Sequence, residues 1–357
     1  MTAFALAALL LAPAAFETGA VKQTDHGAYH LNAIPSIARM ASGKLICAWT
    51  VAGKPDTKMR IVAAFSADGR TWSPPKMLID TPGKNDADPV LLVAGRRVFV
   101  YSATVNIPDR LDHSQVFMVS SDDEGETWSA PREIHFPRKY TAAMVHNGIR
   151  RKDGTLLLPF SWDLWPEKGF RASTEGEMDL ASGILMSRNG VDWEPHGELH
   201  IWEPKTTPGS TNGLCEPALV ELQSGELFMV MRSGTSRHWA SRSSDGGLTW
   251  EPPHPTALVG HNTPTALWRL DQHPEEIIAI WNNSPTSRFP LSVAISRDGG
   301  RNWSRPKDVA TSGGQQVSYP GIVQARDGSF VAVWQQQLKE GGRDIRWARF
   351  SRDWVLE

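Results

Sequence analysis

Short apolar runs that directly follow a polar turn recur along the whole chain. Five of them begin at a glycine-containing turn, and a sixth has the same pattern without the glycine: ASGKLICAW, VAGRRVFVY, KDGTLLLPF, QSGELFMVM, RDGSFVAVW and HPEEIIAIW. Apolar runs of this length, bounded by turn residues, are typical of buried β-strands. The hydrophobic pattern therefore predicts a β-rich protein in which one strand arrangement occurs six times.

A second repeated element, an Asp/Gly turn closed by tryptophan, interleaves with these strands. Its five copies are SADGRTW, SDDEGETW, SRNGVDW, SSDGGLTW and SRDGGRNW, with the tryptophans at positions 72, 128, 193, 250 and 303. Aspartate and glycine supply the hydrogen bond and the positive φ that a hairpin corner needs, and the tryptophan packs over the turn. A period of about 50 residues is typical of four-stranded sheets repeated around an axis, whereas a β-solenoid repeats about every 20 to 30 residues. The sequence thus predicts an all-β fold, a six-bladed β-propeller in which these turns are scaffolding.

The repeated S-x-D-x-G-x-T-W turn resembles the Asp box of the sialidase (neuraminidase) superfamily and its BNR-repeat relatives. The five copies extend over nearly the whole chain after its first 20 residues. The resemblance implies that residues 21–357 form one sialidase-like six-bladed propeller. Asp boxes also occur in propellers without sialidase activity, so the activity has to be argued from the residues of the site.

The residues that open each repeat are the first candidates for a site, because the innermost strands of a propeller converge on a shared channel. Glu216-Pro217 and Tyr319-Pro320 stand nine and eight residues before the glycines of their turns. The other repeats contribute residues from similar positions: Pro35, Asn85, Asp86, Asp88, His146 and Asn147. A carboxylate beside a phenol can accept the phenol proton, which otherwise leaves only at about pH 10. Glu216 and Tyr319 are therefore the candidate catalytic pair, against the alternative that each is an ordinary core or surface residue.

The resemblance to sialidases assigns roles to five residues. It implies that Tyr319 is the nucleophile, that Glu216 assists it, and that Asp56, ten residues before the serine of the first Asp box, is the acid/base. Arg232 and Arg288 match two of the three arginines that bind the sugar carboxylate in that family. A neutral tyrosine suits this chemistry because the anomeric carbon carries a carboxylate, which would repel an anionic nucleophile. Arginine suits the clamp because its planar guanidinium binds a carboxylate with two parallel hydrogen bonds.

The first clamp arginine of the family is absent here. Its R-I-P tripeptide is replaced by Ala33-Ile34-Pro35, and Lys54, Lys58 and Arg60 lie nearby without occupying the same slot. The loss of one charge-assisted contact costs about 1.5–3 kcal/mol of carboxylate binding. The sequence therefore leaves three functions open: a sialidase, a hydrolase of another acidic sugar such as a uronate, and a non-catalytic carbohydrate-binding propeller.

Further candidates for sugar subsites are polar or aromatic residues near the predicted pocket. These are His146, Asn147, Asn262 and the pair Trp162 and Trp165. Each could hydrogen-bond or stack on a sugar, and each could equally be a core or loop residue. We predict a glycan or glycoconjugate with a terminal acidic sugar as the partner.

Composition excludes several other classes of function. The chain has 37 basic and 39 acidic residues and a net charge of −2, which does not favour nucleic acid as a partner. Cys47 and Cys215 each lie in an apolar run, so they are interpreted as buried hydrophobic residues rather than a disulfide or ligand pair. No His/Cys/Asp cluster has the spacing of a zinc site, and the sequence predicts neither a metal nor a cofactor.

The N-terminus predicts export. The apolar segment from Phe4 to Ala12 is too short to span a bilayer, and Ala12-Pro13-Ala14 resembles a small-residue cleavage site. Residues 1–20 are therefore predicted as a signal peptide of a secreted or periplasmic protein with no transmembrane segment. The basic residues that usually begin such a peptide are absent, and the alternative is that this segment forms a buried first strand.

Overall fold

The computed structural model describes residues 15–106, 115–135, 146–164, 178–311 and 315–357. Within these ranges the chain forms 24 β-strands and one short helix, α1 (Arg352–Leu356). In the described ranges the chain has no helix that is long and apolar enough to cross a membrane. Trp165 lies outside the described residues.

The strands pair into antiparallel groups of four, here called units 1 to 6 in chain order. Unit 1 contains β2 (Leu31–Arg39), β3 (Leu45–Ala52), β4 (Arg60–Ser66) and β5 (Lys76–Ile79). Unit 2 contains β6 (Lys84–Ala94), β7 (Arg97–Asn106), β8 (Gln115–Ser121) and β9 (Arg132–Ile134). Unit 3 contains β10 (Ile149–Arg150), β11 (Leu156–Asp163), β12 (Asp179–Ser187) and β13 (Glu194–Leu199).

The second half of the chain repeats this arrangement. Unit 4 contains β14 (Asn212–Glu221), β15 (Leu227–Ser233), β16 (Arg237–Ser243) and β17 (His254–Val259). Unit 5 contains β18 (Ala266–Arg269), β19 (Ile277–Asn282), β20 (Leu291–Ser296) and β21 (Lys307–Ala310). Unit 6 contains β22 (Val317–Gln324), β23 (Phe330–Gln337), β24 (Arg343–Phe350) and the N-terminal strand β1 (Phe16–Lys22).

The apolar core lies between neighbouring units, because the inner strands of each unit, such as β3, β15 and β19, bury side chains on both faces of the sheet. The buried clusters of the described residues join unit 1 to 2, 2 to 3, and so on to 5 and 6. A further cluster, which includes Trp49 and Val331, joins unit 6 back to unit 1. The units therefore form a closed ring, and the predicted all-β propeller is confirmed in its fold class. Cys47 and Cys215 are both buried and are not joined in a disulfide, as the sequence predicted.

The Asp/Gly turns connect adjacent units, as the copy in unit 4 illustrates. The Ser243 hydroxyl accepts a hydrogen bond from Gly247 N at 2.8 Å and donates one to Asp245 at 2.8 Å. Trp250 Nε1 donates to Gly247 O at 3.0 Å. A Cβ placed on Gly247 would lie 2.3 Å from the Ile184 side chain of unit 3. Each of the other four copies has a glycine whose Cβ position would lie 2.5–2.7 Å from an apolar side chain of the preceding unit: Gly69, Gly125, Gly190 and Gly300.

The N-terminal strand closes unit 6. β1 pairs antiparallel with β24, from Phe16 opposite Phe350 to Lys22 opposite Ile345. The signal-peptide boundary that the sequence predicts at residue 20 falls inside this strand. Cleavage near Ala15 would leave the strand whole.

Candidate active site

Four of the innermost strands carry the same irregularity at an X-Pro dipeptide. The pairing register shifts between Ala33 and Ser36 in β2, and at matching places in β6, β14 and β22. The residue before each proline has a positive φ of 45–54°: Ile34, Asp88, Glu216 and Tyr319. Such a conformation costs a non-glycine residue on the order of 1–3 kcal/mol and is concentrated at functional sites. The bulge interrupts the regular alternation of side chains between the two faces of the sheet and so changes the direction of these four side chains.

Glu216 and Arg232 form a buried ion pair at the centre of this group. Glu216 Oε2 lies 2.7 Å from Arg232 Nη1, and the two side chains are 8% and 9% exposed. Burial disfavours the charge on Arg232, but the combined effect of its neighbours, led by the carboxylate of Glu216, raises the pKa of Arg232. The pair is positioned by Ser161, whose hydroxyl accepts a hydrogen bond from Glu216 N at 3.0 Å.

Asn262 connects Arg232 to the second predicted clamp residue. Its side-chain oxygen accepts from Arg232 Nε at 2.7 Å, and its backbone carbonyl accepts from Arg288 Nη2 at 2.9 Å. Asn262 also has a positive φ of 47°. Asn262 therefore holds both guanidinium groups in place, and the direct sugar contact predicted from the sequence stays a prediction.

Tyr319 lies next to Arg288. The Arg288 guanidinium carbon is 5.6 Å from the centre of the Tyr319 ring, and both side chains are partly exposed. Burial and the charge of Glu216 raise the pKa of Tyr319, while Arg288 and Arg232 partly offset them. The phenol is therefore neutral at neutral pH and needs a base in order to act as a nucleophile. The structure thus groups Glu216, Arg232, Arg288 and Tyr319, together with Asn262.

Asp88 belongs to the same group, although its distance from the glycine of the following turn differs from that of Glu216 and Tyr319. Its carboxyl group is buried, and burial together with the charge of Glu216 raises the pKa of Asp88 to about 7. The turn after β6 has only two residues between Ala94 and Arg97, whereas Glu221 and Leu227 in unit 4 are separated by five. The residue nine positions before the turn glycine, Gly95, is consequently Asp86 and not Asp88. The Asp-Pro dipeptide, matching Glu216-Pro217 and Tyr319-Pro320, was the signal that could have identified Asp88.

Asp56 is not brought into contact with this group in the structure. It lies in the connection between β3 and β4, is about half exposed, and pairs with Arg60 at 2.5 Å. The hydrogen bond from Arg60 lowers the pKa of Asp56 to about 2. In this arrangement the carboxyl group carries no proton to donate at neutral pH.

His146 and Asn147 line a cavity of about 350 Å³ that Pro35 and Pro320 also line. The Asn147 amide donates to Ile37 O and accepts from the Ser36 hydroxyl. It thereby ties unit 3 to unit 1. Burial, and secondarily the charge of His238, lowers the pKa of His146 to about 3, so its imidazole is neutral. The contacts of Asn147 thus lie between units, and the sugar contacts predicted for His146 and Asn147 stay predictions.

Trp162 is part of the core. It is 2% exposed and stacks on Phe160, with 5.8 Å between the ring centres. Among the described residues, a single group has the geometry to hold a metal ion, namely His273, Glu275 and Glu276. Glu276 is bound by Arg352 at 2.7 Å, and the group has no described contact with Glu216 or Tyr319.

Comparison with known proteins identifies relatives of the same fold. Residues 43–333 match the BNR repeat-like domain. A sialidase of Bacteroides fragilis (strain YCH46) is 26% identical over 298 residues, which are 76% of this chain and 49% of that protein. This chain therefore spans about half the length of that relative.

Solved structures agree with this result. The Hadza microbial sialidase Hz136 superposes with a TM-score of 0.76 at 18% identity, over 95% of this chain and 69% of that chain. Trypanosoma rangeli sialidase in complex with 2,3-difluorosialic acid, a covalent intermediate, has a TM-score of 0.73 at 14% identity, over 94% of this chain and 59% of that one. These structures confirm the predicted fold, and the BNR repeat-like match and the Bacteroides fragilis relative support the resemblance to the sialidase superfamily.

Proposed function

This chain belongs to the BNR repeat-like family, and we propose that it is a sialidase-type glycoside hydrolase that removes a terminal sialic acid with retention of configuration. One observation carries the proposal. Glu216 and Tyr319 occupy the same strained bulge position in two units, with Arg232 and Arg288 beside them. A carboxylate, a phenol and two guanidinium groups are the chemistry that cleavage of an acidic glycoside at a crowded anionic centre requires.

The first step joins the sugar to the protein. The Tyr319 oxygen attacks the anomeric carbon while Glu216 accepts the phenol proton, and the bond to the leaving-group oxygen breaks. Asp56 gives its proton to that oxygen. Arg232 keeps Glu216 in place, and Arg288 faces the sugar carboxylate.

The second step reverses these transfers. Asp56 accepts a proton from water, and the water oxygen attacks the anomeric carbon. The bond between that carbon and the Tyr319 oxygen breaks, and Glu216 returns its proton to the Tyr319 oxygen. Two inversions give net retention. For Asp56 to begin protonated, the bound substrate has to displace it from Arg60 and shield it from water, since both changes raise its pKa.

The proposed setting is outside the cytoplasm, because the N-terminal segment resembles a signal peptide and terminal acidic sugars cap cell-surface glycans. We propose no cofactor for this reaction. A uronate hydrolase is the second candidate, favoured by the specific absence of an arginine at Ala33.

Turnover of fluorogenic glycosides tests the proposal. Wild-type protein should release the fluorophore from an α-sialoside and not from a β-glucuronide, and Tyr319→Phe should lose several powers of ten in kcat while keeping its melting temperature. Cleavage of the glucuronide alone would establish the uronate alternative. Binding of sialic acid without cleavage of any tested glycoside would establish a carbohydrate-binding propeller.

A further inference from the structure

Arg343 lies directly beside the strand in which the first clamp arginine is missing. It begins β24, and it pairs in parallel with Leu31, two residues before Ala33. Arg343 N donates to His30 O at 3.1 Å, and Asn32 Nδ2 donates to Arg343 O at 2.9 Å. These bonds fix the Arg343 backbone against the start of β2, which runs toward the site.

Arg343 lies in the same unit as Tyr319, because β24 pairs with β23 and β23 pairs with β22, the strand that carries Tyr319. The Arg343 side chain is partly buried, and it interacts electrostatically with both Tyr319 and Arg288. Burial lowers the pKa of Arg343, an effect that Tyr319 opposes and Arg288 reinforces. A guanidinium group remains charged despite such a shift, because its ordinary pKa is above about 12.

Arg343 differs from the other arginines of its strand in having no anionic partner. Arg346 lies 3.8 Å from Asp344, and Arg349 pairs with Asp327. Among the side chains that the structure describes, none makes a hydrogen bond or ion pair with the Arg343 guanidinium. A partly buried charge without a partner is costly, and a bound anion would compensate it.

The charge of the whole group favours an anion as well. Arg232 is neutralised by Glu216, whereas Arg288 has its described hydrogen bond only to a backbone carbonyl. Even when Asp88 is ionised, the three arginines outnumber the two carboxylates. A monoanionic sugar therefore fits this end of the channel better than a neutral one.

We propose that Arg343 replaces the missing arginine of position 33 and binds the substrate carboxylate together with Arg288 and Arg232. The proposal rests on the proposed function in one respect, since it takes the acidic sugar as the ligand. The third cation of the clamp would then come from β24 of unit 6 rather than from β2 of unit 1. Ala33, which is only 4% exposed, provides no charge at the position of the missing arginine.

Binding of free sugars tests the proposal without requiring turnover. Arg343→Gln and the matched control Arg346→Gln would be titrated calorimetrically with N-acetylneuraminic acid, glucuronic acid and the neutral methyl ester of each. Loss of one charge-assisted contact should weaken binding of the preferred acid about 10- to 100-fold for Arg343→Gln. Arg346→Gln should bind like wild type, and the esters should not discriminate between the variants.

A second variant separates charge from structure. Adding Ala33→Arg to Arg343→Gln should restore acid binding, because the cation returns from the neighbouring strand. Melting temperatures of all variants would confirm that they fold. Rescue of this kind is not expected if Arg343 only packs against β2.

Three results would overturn the role of Arg343. These are wild-type affinity of Arg343→Gln for the acid, equal loss for acid and ester, and wild-type protein that binds neither acid. Failure of the proposed function looks different. In that case wild-type protein binds the acid without cleaving its glycoside, while Arg343→Gln still loses acid binding.

Discussion

Glu216 and Tyr319 are held in left-handed backbone conformations immediately before a proline, and the same is true of Asp88. A non-glycine residue adopts this conformation only when its surroundings fix it, since the side chain meets its own backbone. The flanking strand pairs supply that fixation, because the register on both sides of each bulge is set by the ladder. At the residue scale, the site is thus built by repeating one strained dipeptide around the ring.

The ion pair between Glu216 and Arg232 should link activity to stability. Glu216→Gln removes the base for the Tyr319 proton and leaves the Arg232 charge without its partner. We expect turnover to be lost and the free energy of unfolding to fall by about 3 kcal/mol. Urea denaturation and kcat measure the two effects.

Glu226→Gln is the matched control for this substitution. Glu226 pairs with the buried Arg242 in the same unit but away from Tyr319. This variant should lose stability and keep wild-type turnover. Equal loss of activity in both variants would show that Glu216 acts only through the fold.

Asp88 should make stability depend on pH. Its pKa in the folded protein, about 7, is above the ordinary value of 3.8. The folded state therefore binds the proton more tightly than the unfolded chain, and the resulting stabilisation is present below about pH 4 and lost as pH rises through about 7. Asp88→Asn should remove this loss. The melting temperature of the variant, relative to that of wild type, should therefore be higher at pH 8 than at pH 4. The same difference at both pH values would contradict the assignment.

Sequence patterns could identify Glu216 and Tyr319 because both stand at a constant distance from a turn of constant length. Asp88 escaped the same count because its turn is three residues shorter. Arg343 could not be found by counting, because it lies 310 residues after Ala33 in the sequence. Only the pairing of β24 with β2 brings the two residues close together. The contacts of Asn147 could not be found by counting either, because only the ring places Ser36 and Ile37 next to it.

At the scale of the element, the Asp/Gly turn determines how one unit packs on the next. Its serine and aspartate accept hydrogen bonds from the turn backbone, and its glycine lies against an apolar side chain of the preceding unit. The glycine is required both for its positive φ and for this close approach. The Asp/Gly turn, the most visible repeat in the sequence, therefore stabilises the ring and is not part of the candidate active site.

Two glycines with similar φ separate these requirements. Gly247 has φ of 100° and a Cβ position 2.3 Å from Ile184, whereas Gly225 has φ of 90° and no atom within 4 Å. Gly225→Ala should cost about 1–2 kcal/mol for the backbone conformation alone. Gly247→Ala should cost about 1–3 kcal/mol more, because unit 3 has to move. Equal losses in urea denaturation would mean that the turn does not pack tightly on its neighbour.

At the scale of the whole molecule, the ring is closed by strands from the two ends of the chain. β1 covers the edge of β24, and the Gly19 Cβ position lies 2.7 Å from the Trp347 ring. An uncovered, apolar strand edge is a template for aggregation. Closure by β1 is therefore part of the fold and limits where a leader can be removed.

Truncation tests this closure. A chain that begins at Ala15 should fold with the stability of the full chain, since β1 remains. A chain that begins at Gln23 should expose β24 and either aggregate or melt at a much lower temperature. Intact-mass analysis of exported protein should likewise find a start near Ala15. A stable, monomeric chain that begins at Gln23 would refute the role of β1.

The central claim is that Tyr319 forms a covalent bond to an acidic sugar. Wild-type protein incubated with 2,3-difluorosialic acid, the ligand of the trypanosomal covalent complex, should gain the mass of one fluorinated sugar. Peptide mapping should locate it on Tyr319, and Tyr319→Phe should gain nothing while melting like wild type. An adduct on another residue, or an unmodified wild-type protein that still cleaves sialosides, would contradict the account.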